Sequence, residues 1–181
     1  MKFRLSKIIT KTGDKGVTLL ADRSVVSKAS EQIMAIGSID ETNTAIGLLR
    51  SYITDTDVAE KLITIQHQLL IAGSQMAGSN RSALKEQHVE FLESWANDLM
   101  TELEPVADFV LPGGARSAAH CHVARVTCRR AERCMVACIG KYNAMTIPMK
   151  YINRLSDVLF LLARVLNKRD HVSEIIVNRS I

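Results

Sequence analysis

Residues 10–16 read TKTGDKG, a run in which lysines and threonines alternate with glycine. Hydroxyls at Thr10, Thr12 and Thr18, the pliable backbone at Gly13 and Gly16, and the ammonium groups of Lys11, Lys15 and Lys28 together suit a phosphate group. The spacing is not that of a Walker A loop, which needs two glycines five apart followed by Lys and Ser or Thr, and no helix follows here. A plain Lys-Gly surface turn is the alternative.

A second constellation lies in HVARVTCRRAER, residues 122–133. Arg125, Arg129, Arg130 and Arg133 against Glu132 leave a net charge of +3 in this stretch. On a helix, positions 125, 129 and 132 fall on one face. Two guanidiniums beside a carboxylate form a fork-shaped anion site with an internal partner. A solvated face of i,i+4 ion pairs would carry the same residues. The surrounding Ala, Val and Cys argue for a central helix, where arginine is seldom left without a partner.

In YINRLSDVLFLLAR, residues 151–164, Asn153 and Asp157 share one face while Ile152, Leu155, Leu159 and Leu162 form a core stripe. Asp40 and Asn43 interrupt the apolar run GSIDETNTAIG in the same way. Singly, each could be a structural hydrogen bond or a surface group; polar groups on three helices point to one shared site. A zinc site is not supported. His120 and His122 would point about 200° apart on a helix, and the two Glu-x-x-His repeats of a di-iron bundle are missing.

These residues need elements to hold them. Helical periodicity begins after Ser30, an N-cap followed by Glu31, and recurs over Val58 to Met76, Lys85 to Leu103, Ala115 to Lys141 and Pro148 to Lys168. FVLPGG, residues 109–114, is a turn, and a short strand is expected at Val17 to Leu20. The expected architecture is all-α: an up-and-down five-helix bundle. It forms a single domain in residues 1–181, with an extended N-terminal phosphate-binding arm (1–28), the bundle (30–168) and a C-terminal tail (169–181).

Composition agrees. The 181 residues are 47% hydrophobic but only 4% aromatic, so the core is aliphatic, and nine Gly and three Pro favour long helices. A net charge of +4 with one Trp gives no stacking platform for nucleic acid. No apolar run approaches the ~18 residues of a membrane span, and the N-terminus lacks a secretory h-region. All four cysteines (121, 128, 134, 138) fall on one expected helix, where disulfides are hard to form; a reducing, cytoplasmic setting follows.

In this order, TKTGDKG, GSIDETN, FVLPGG, ARVTCRRAER and YINRLSD resemble the PduO-type ATP:corrinoid adenosyltransferases, over residues 10–157. The resemblance implies a homotrimer of five-helix bundles with an active site at each subunit interface. It also implies transfer of the 5′-deoxyadenosyl group of ATP to the cobalt of a reduced corrinoid (cob(I)alamin), releasing triphosphate. By motif, Thr10, Lys11, Thr12, Gly13, Asp14, Lys15, Gly16, Thr18 and Lys28 form an ATP-binding arm. Arg129, Arg130, Glu132, Arg133 and Asn153 complete the ATP site, with Mg²⁺ on the phosphates. Arg129 belongs also to the catalytic set with Arg125, Asp40 and Phe109. Asp40 and Arg125 look like the family's ion pair that helps position the corrin, and Phe109 like the residue that crowds the lower face of cobalt. A corrin reductase and an adenosylcobalamin-dependent enzyme are the implied partners.

The chemistry suits such residues. Co(I) is already a strong nucleophile, so no Ser-His or Cys-His pair is needed; the difficult part is a highly charged leaving group. The chain departs from the family's usual pattern in ADRSVVSK after TLL, in Met34 and in DETN for the commoner DELN. A non-catalytic nucleotide or corrinoid carrier would have no need to stabilise triphosphate. A merely structural oligomer would leave TKTGDKG unexplained.

Overall fold

A computed structural model describes residues 9, 11–138 and 146–180. Five helices carry most of them: α1 (Glu31–Arg50), α2 (Thr56–Met76), α3 (Glu86–Thr101), α4 (Arg116–Val136) and α5 (Thr146–Arg169). Ahead of them, β1 (Val17–Leu19) pairs antiparallel with β2 (Val25–Ser27), with Thr18 opposite Val26.

The helix starts follow local chemistry. Ser30 caps α1 by accepting from Ile33 N at 3.4 Å. Asp55 caps α2 by accepting from Asp57 N and Val58 N, so that helix begins two residues before the expected Val58. Helix α5 also starts early, at Thr146, which leaves Pro148 third in the helix. That position tolerates proline because the first turn's N–H groups have no helical acceptor. At its end, α4 stops at Val136 and not at Lys141, which lies outside the described residues. Its last turn tightens, with Cys138 N donating to Met135 O at 2.9 Å. Likewise, α3 stops at Thr101, short of Leu103, through a tight Glu102 N to Leu99 O bond of 3.2 Å.

The central helix is α4, packed between α1 and α5; α2 lies against α1, and α3 against α5. Small buried residues explain the close approach. Ala118, Cys121, Ala124, Cys128 and Ala131 line α4's core faces, and the Cys121 and Cys128 thiols donate to Leu159 O and Ile152 O of α5. Ile39, Ile46, Leu62, Leu69, Leu155 and Leu159 fill the aliphatic interior. Tyr151 is fully buried with its hydroxyl donating to Gln68 Oε1 at 2.7 Å, which ties α5 to α2.

The entry to α4 depends on one glycine. Gly114 sits at φ +104, and a Cβ there would lie 2.0 Å from Asn167 Oδ1. Asn167 occupies that space to receive Ala115 N at 2.9 Å and to donate to Gly113 O at 3.1 Å. The end of α5 thereby sets where α4 begins. Beyond α5 the tail folds back: Val110 bridges Ile176, Leu111 N donates to Ile175 O, and Val177 N donates to Phe109 O. Neither β2 nor this pairing follows from local sequence pattern.

Candidate functional site

Thr10 lies outside the described residues; the rest of the arm is a compact turn. Lys11 takes a left-handed backbone (φ 59), as does Gly16 (φ 77), and Gly16 N returns to Gly13 O at 3.2 Å. The Lys28 N–H donates to Gly16 O at 2.8 Å, and its ammonium lies 2.7 Å from where a Cβ on Gly13 would stand. Lys28 therefore closes over the loop, and the missing side chain at Gly13 is what admits it. Lys11, Asp14, Lys15 and Lys28 are exposed, while Thr18 is half-buried on β1. The hairpin is fastened to the bundle by Ala21 N donating to Ala77 O at 2.9 Å and by buried Leu20. Its tip, the divergent 21–24 stretch, is organised by Asp22, which accepts from Ser24 N and Oγ.

Facing α4 and α5 share a polar seam. Asn153 donates to Glu132 Oε1 at 2.7 Å, and Arg154 holds Asn153 Oδ1 at 3.1 Å while reaching Glu93 at 2.8 Å. That chain fixes the orientation of the Asn153 amide. Asp157 is one turn further along α5. Burial raises its carboxyl above the ordinary carboxylate range, against the pull of Arg154 and Arg129. Arg129 itself is exposed and makes no hydrogen bond or ion pair among the described residues.

Arg130 and Arg133 turn to the other side of α4. Arg130 pairs with Glu41 of α1, and both arginines line a cavity of about 200 Å³ with Glu31, Met34, Cys134 and Ala137. Since the arm enters α1 through Ser30, this cavity stands beside the arm's end. Glu41 carries no spacing signal of its own in the sequence; its place next to Asp40 in GSIDETN is the available one.

Asp40 and Arg125 are not joined within the chain. Asp40 is exposed at the rim of a groove of about 240 Å³ between α1 and α2, shared with Asn43, Leu69 and Gly73. Arg125 is half-buried on α4, its guanidinium 6.0 Å from the Phe160 ring and its Nε buried without a partner. Burial, then Arg129, lowers its pKa. Phe109 projects from the loop before α4 and is 76% exposed, a large apolar side chain offered to solvent. His122, one turn from Arg125, is buried with both ring nitrogens unpartnered.

Cys121 and Cys128 are not reactive centres. Burial pushes Cys121 and Cys128 far above the ordinary range, so neither is a thiolate near neutral pH. Among the described residues no group of three or more His, Cys, Asp or Glu is arranged to hold a metal ion.

Comparison with known proteins bears on this site. A family model described as cobalamin adenosyltransferase matches residues 8–166. A cobalamin adenosyltransferase of Cupriavidus metallidurans is 44% identical over 181 residues, spanning 97% of this chain and 96% of its own. A corrinoid adenosyltransferase of Bacillus subtilis is 37% identical over 182 residues, spanning 96% and 93%. Among solved structures, a variant PduO-type ATP:corrinoid adenosyltransferase from Lactobacillus reuteri, complexed with cobalamin and ATP, matches with a TM-score of 0.91. It is 30% identical, and the match covers 97% of this chain and 98% of that one.

Proposed function

The chain belongs to the cobalamin adenosyltransferase family, and we infer that it transfers the 5′-deoxyadenosyl group of ATP to the cobalt of reduced cob(I)alamin. The observation that carries this reading is the α4–α5 seam, where Glu132 and Asn153 are locked together beside an exposed Arg129 that has no partner among the described residues. That is a prepared anion site, with charge available and its neighbours already oriented.

In the reaction the Co(I) electron pair attacks C5′ of the ribose. A Co–C bond forms as the C5′–O bond breaks, its electrons leave with triphosphate, and cobalt becomes formally Co(III). Nothing in this step needs a general base. The chain's task is to stabilise the leaving triphosphate and to align C5′ with cobalt. Lys11, Lys15 and Lys28, the Thr12 and Thr18 hydroxyls and the open backbone at Gly13 and Gly16 wrap the phosphates. Arg129, Arg130 and Arg133 supply further charge, and Glu132 with Asn153 orients the nucleotide.

Mg²⁺ fits this arrangement, since it prefers phosphate oxygens and water with one or two protein oxygens, and Asp14 is exposed on the arm. Bound there, it would neutralise part of the phosphate charge. Phe109, apolar and exposed, is suited to exclude a lower axial ligand from cobalt and so ease reduction of Co(II).

We also read the molecule as a single-domain homotrimer whose sites lie between subunits. Among the described residues Asp40 has no arginine partner and Arg125 no carboxylate partner, while Arg125 Nε is buried and unsatisfied. Pairing between neighbouring chains would satisfy both and would bring one chain's arm to the next chain's arginine helix. The four cysteines and a Co(I) substrate suit a reducing cytoplasm, with a corrin reductase upstream and an adenosylcobalamin-dependent enzyme downstream.

The test is anaerobic: protein, ATP, Mg²⁺ and chemically reduced cob(I)alamin, followed by loss of the Co(I) absorbance. Loss that requires ATP and protein, and that disappears in Arg129→Ala, supports the transferase. ATP-induced thermal stabilisation with no loss of Co(I) would leave a binding module instead.

A further inference from the structure

Phe109 is carried on a loop, yet both of its backbone groups are held. Its N–H donates to Asp108 Oδ1 at 2.8 Å, and its carbonyl accepts from Val177 N at 2.8 Å. The same Asp108 carboxylate is gripped by the fork of Arg179, with Nη2 to Oδ1 and Nε to Oδ2 both at 2.8 Å. That double hydrogen bond, followed by the Phe109 N–H, keeps the Asp108 carboxyl below its ordinary pKa.

The tail is anchored at its other end as well. Glu174 receives Arg164 Nε at 3.0 Å in a largely buried ion pair, and Arg164 Nη2 donates to Glu104 O at 3.0 Å, at the start of the same loop. Between these two anchors, Leu111 N reaches Ile175 O, and Val110, which is buried, bridges Ile176. The loop thus lies against one stretch of the tail and is clamped at Glu104 and at Asp108. An exposed aromatic on a loop would ordinarily sample many directions. Here the backbone beneath it is given a single register, and only the ring is left unpacked.

We propose that Arg179 is a positioning residue for Phe109: through Asp108 it fixes the backbone from which the exposed ring meets the lower face of the corrin. This rests on the reading of Phe109 given above. Arg179 touches no substrate. It acts by keeping Asp108 turned toward the Phe109 N–H and by holding Val177 within reach of the Phe109 carbonyl.

The experiment compares wild type, Arg179→Ala, Arg179→Lys and Val177→Pro in the full chain with ATP and cob(II)alamin. It measures by electron paramagnetic resonance the fraction of Co(II) without a lower axial ligand, then kcat and KM for ATP with cob(I)alamin. Loss of an exposed bidentate pair should lower that fraction and kcat together, roughly two- to tenfold, with KM for ATP unchanged. Lysine should restore part of the effect, because it lacks the fork. Val177→Pro, which deletes the donor to the Phe109 carbonyl, should move both quantities further in the same direction. If Val177→Pro does not fold, Arg179→Ala decides. Wild-type Co(II) spectra and kcat in a folded Arg179→Ala protein overturn the inference while leaving the transferase intact. A wild-type protein that does not adenosylate cob(I)alamin removes the reading of Phe109 and the inference with it.

Discussion

Asn153 of α5 and Glu132 of α4 are joined by a 2.7 Å hydrogen bond between side chains, three residues along α4 from Arg129. The amide donates and the carboxylate accepts, so each is turned by the other. Arg154 holds the amide's oxygen at 3.1 Å and leaves it little freedom to flip.

Asn153→Asp replaces this donor by a second carboxylate facing Glu132. The two cannot both stay charged at that separation, so one protonates or swings away. A hydrogen bond to a charged group is worth about 1.5–3 kcal/mol, so kcat/KM for ATP should fall by about tenfold or more. Steady-state kinetics check this. An unchanged kcat/KM would detach the pair from nucleotide binding.

Arg129 stands apart from such bonding, exposed and without a hydrogen bond or ion pair among the described residues. Arg129→Ala should therefore change folding stability by no more than about 0.5 kcal/mol, as at other surface positions. Its kcat should drop by about 10²–10³, the usual effect of deleting one group that stabilises a developing anion. Melting temperature and kcat measured on one preparation test both halves. A large loss of stability would make Arg129 a structural residue.

Gly114 offers the opposite case, a change of backbone and packing alone. At φ +104 and with Asn167 Oδ1 2.0 Å from where its Cβ would be, Gly114→Ala strains the backbone and displaces the amide that fixes the start of α4. The cost should exceed ~1 kcal/mol. Calorimetry would show it as a lowered Tm, and an unaltered Tm would mean that Asn167 can move aside freely.

What could be read in the sequence follows the range of the interactions. The α1 start was legible because Ser30 and the apolar period are local, and the Arg125–Arg129–Glu132 stripe because three- and four-residue spacing fixes a face whatever surrounds it. Asn153 was legible as a polar interruption, although its partner Glu132 was not, since helix–helix register is set by packing. The arm's folding through Lys28 over Gly13 was readable only as composition. Strand β2 is three residues long and its partner is distant by a turn, so it leaves no periodic signal. The bridge from Val110 to Ile176 spans the whole of α4 and α5 and could not be inferred from either segment alone. The Asp40–Arg125 pair, expected from the resemblance, is absent within one chain because the two side chains face different sides of the bundle.

His122 makes stability depend on pH. It is buried on α4 with neither ring nitrogen bonded, its ring 6.4 Å from that of Phe160. Burial, then the neighbouring Arg125 charge, lowers its pKa from the ordinary 6.5, opposed only by Glu174. Below that ordinary value the unfolded chain binds a proton that the native state refuses, so stability is complete above it and is lost as pH falls toward the lowered folded pKa. Melting curves between about pH 7.5 and about pH 5.5 should therefore slope downward on the acid side, and His122→Leu should flatten that slope. The other four histidines are exposed or half-buried and present in both proteins, so the difference isolates His122. Equal slopes would mean that the ring is hydrated in solution, and Arg125 would then not be held beside a neutral imidazole.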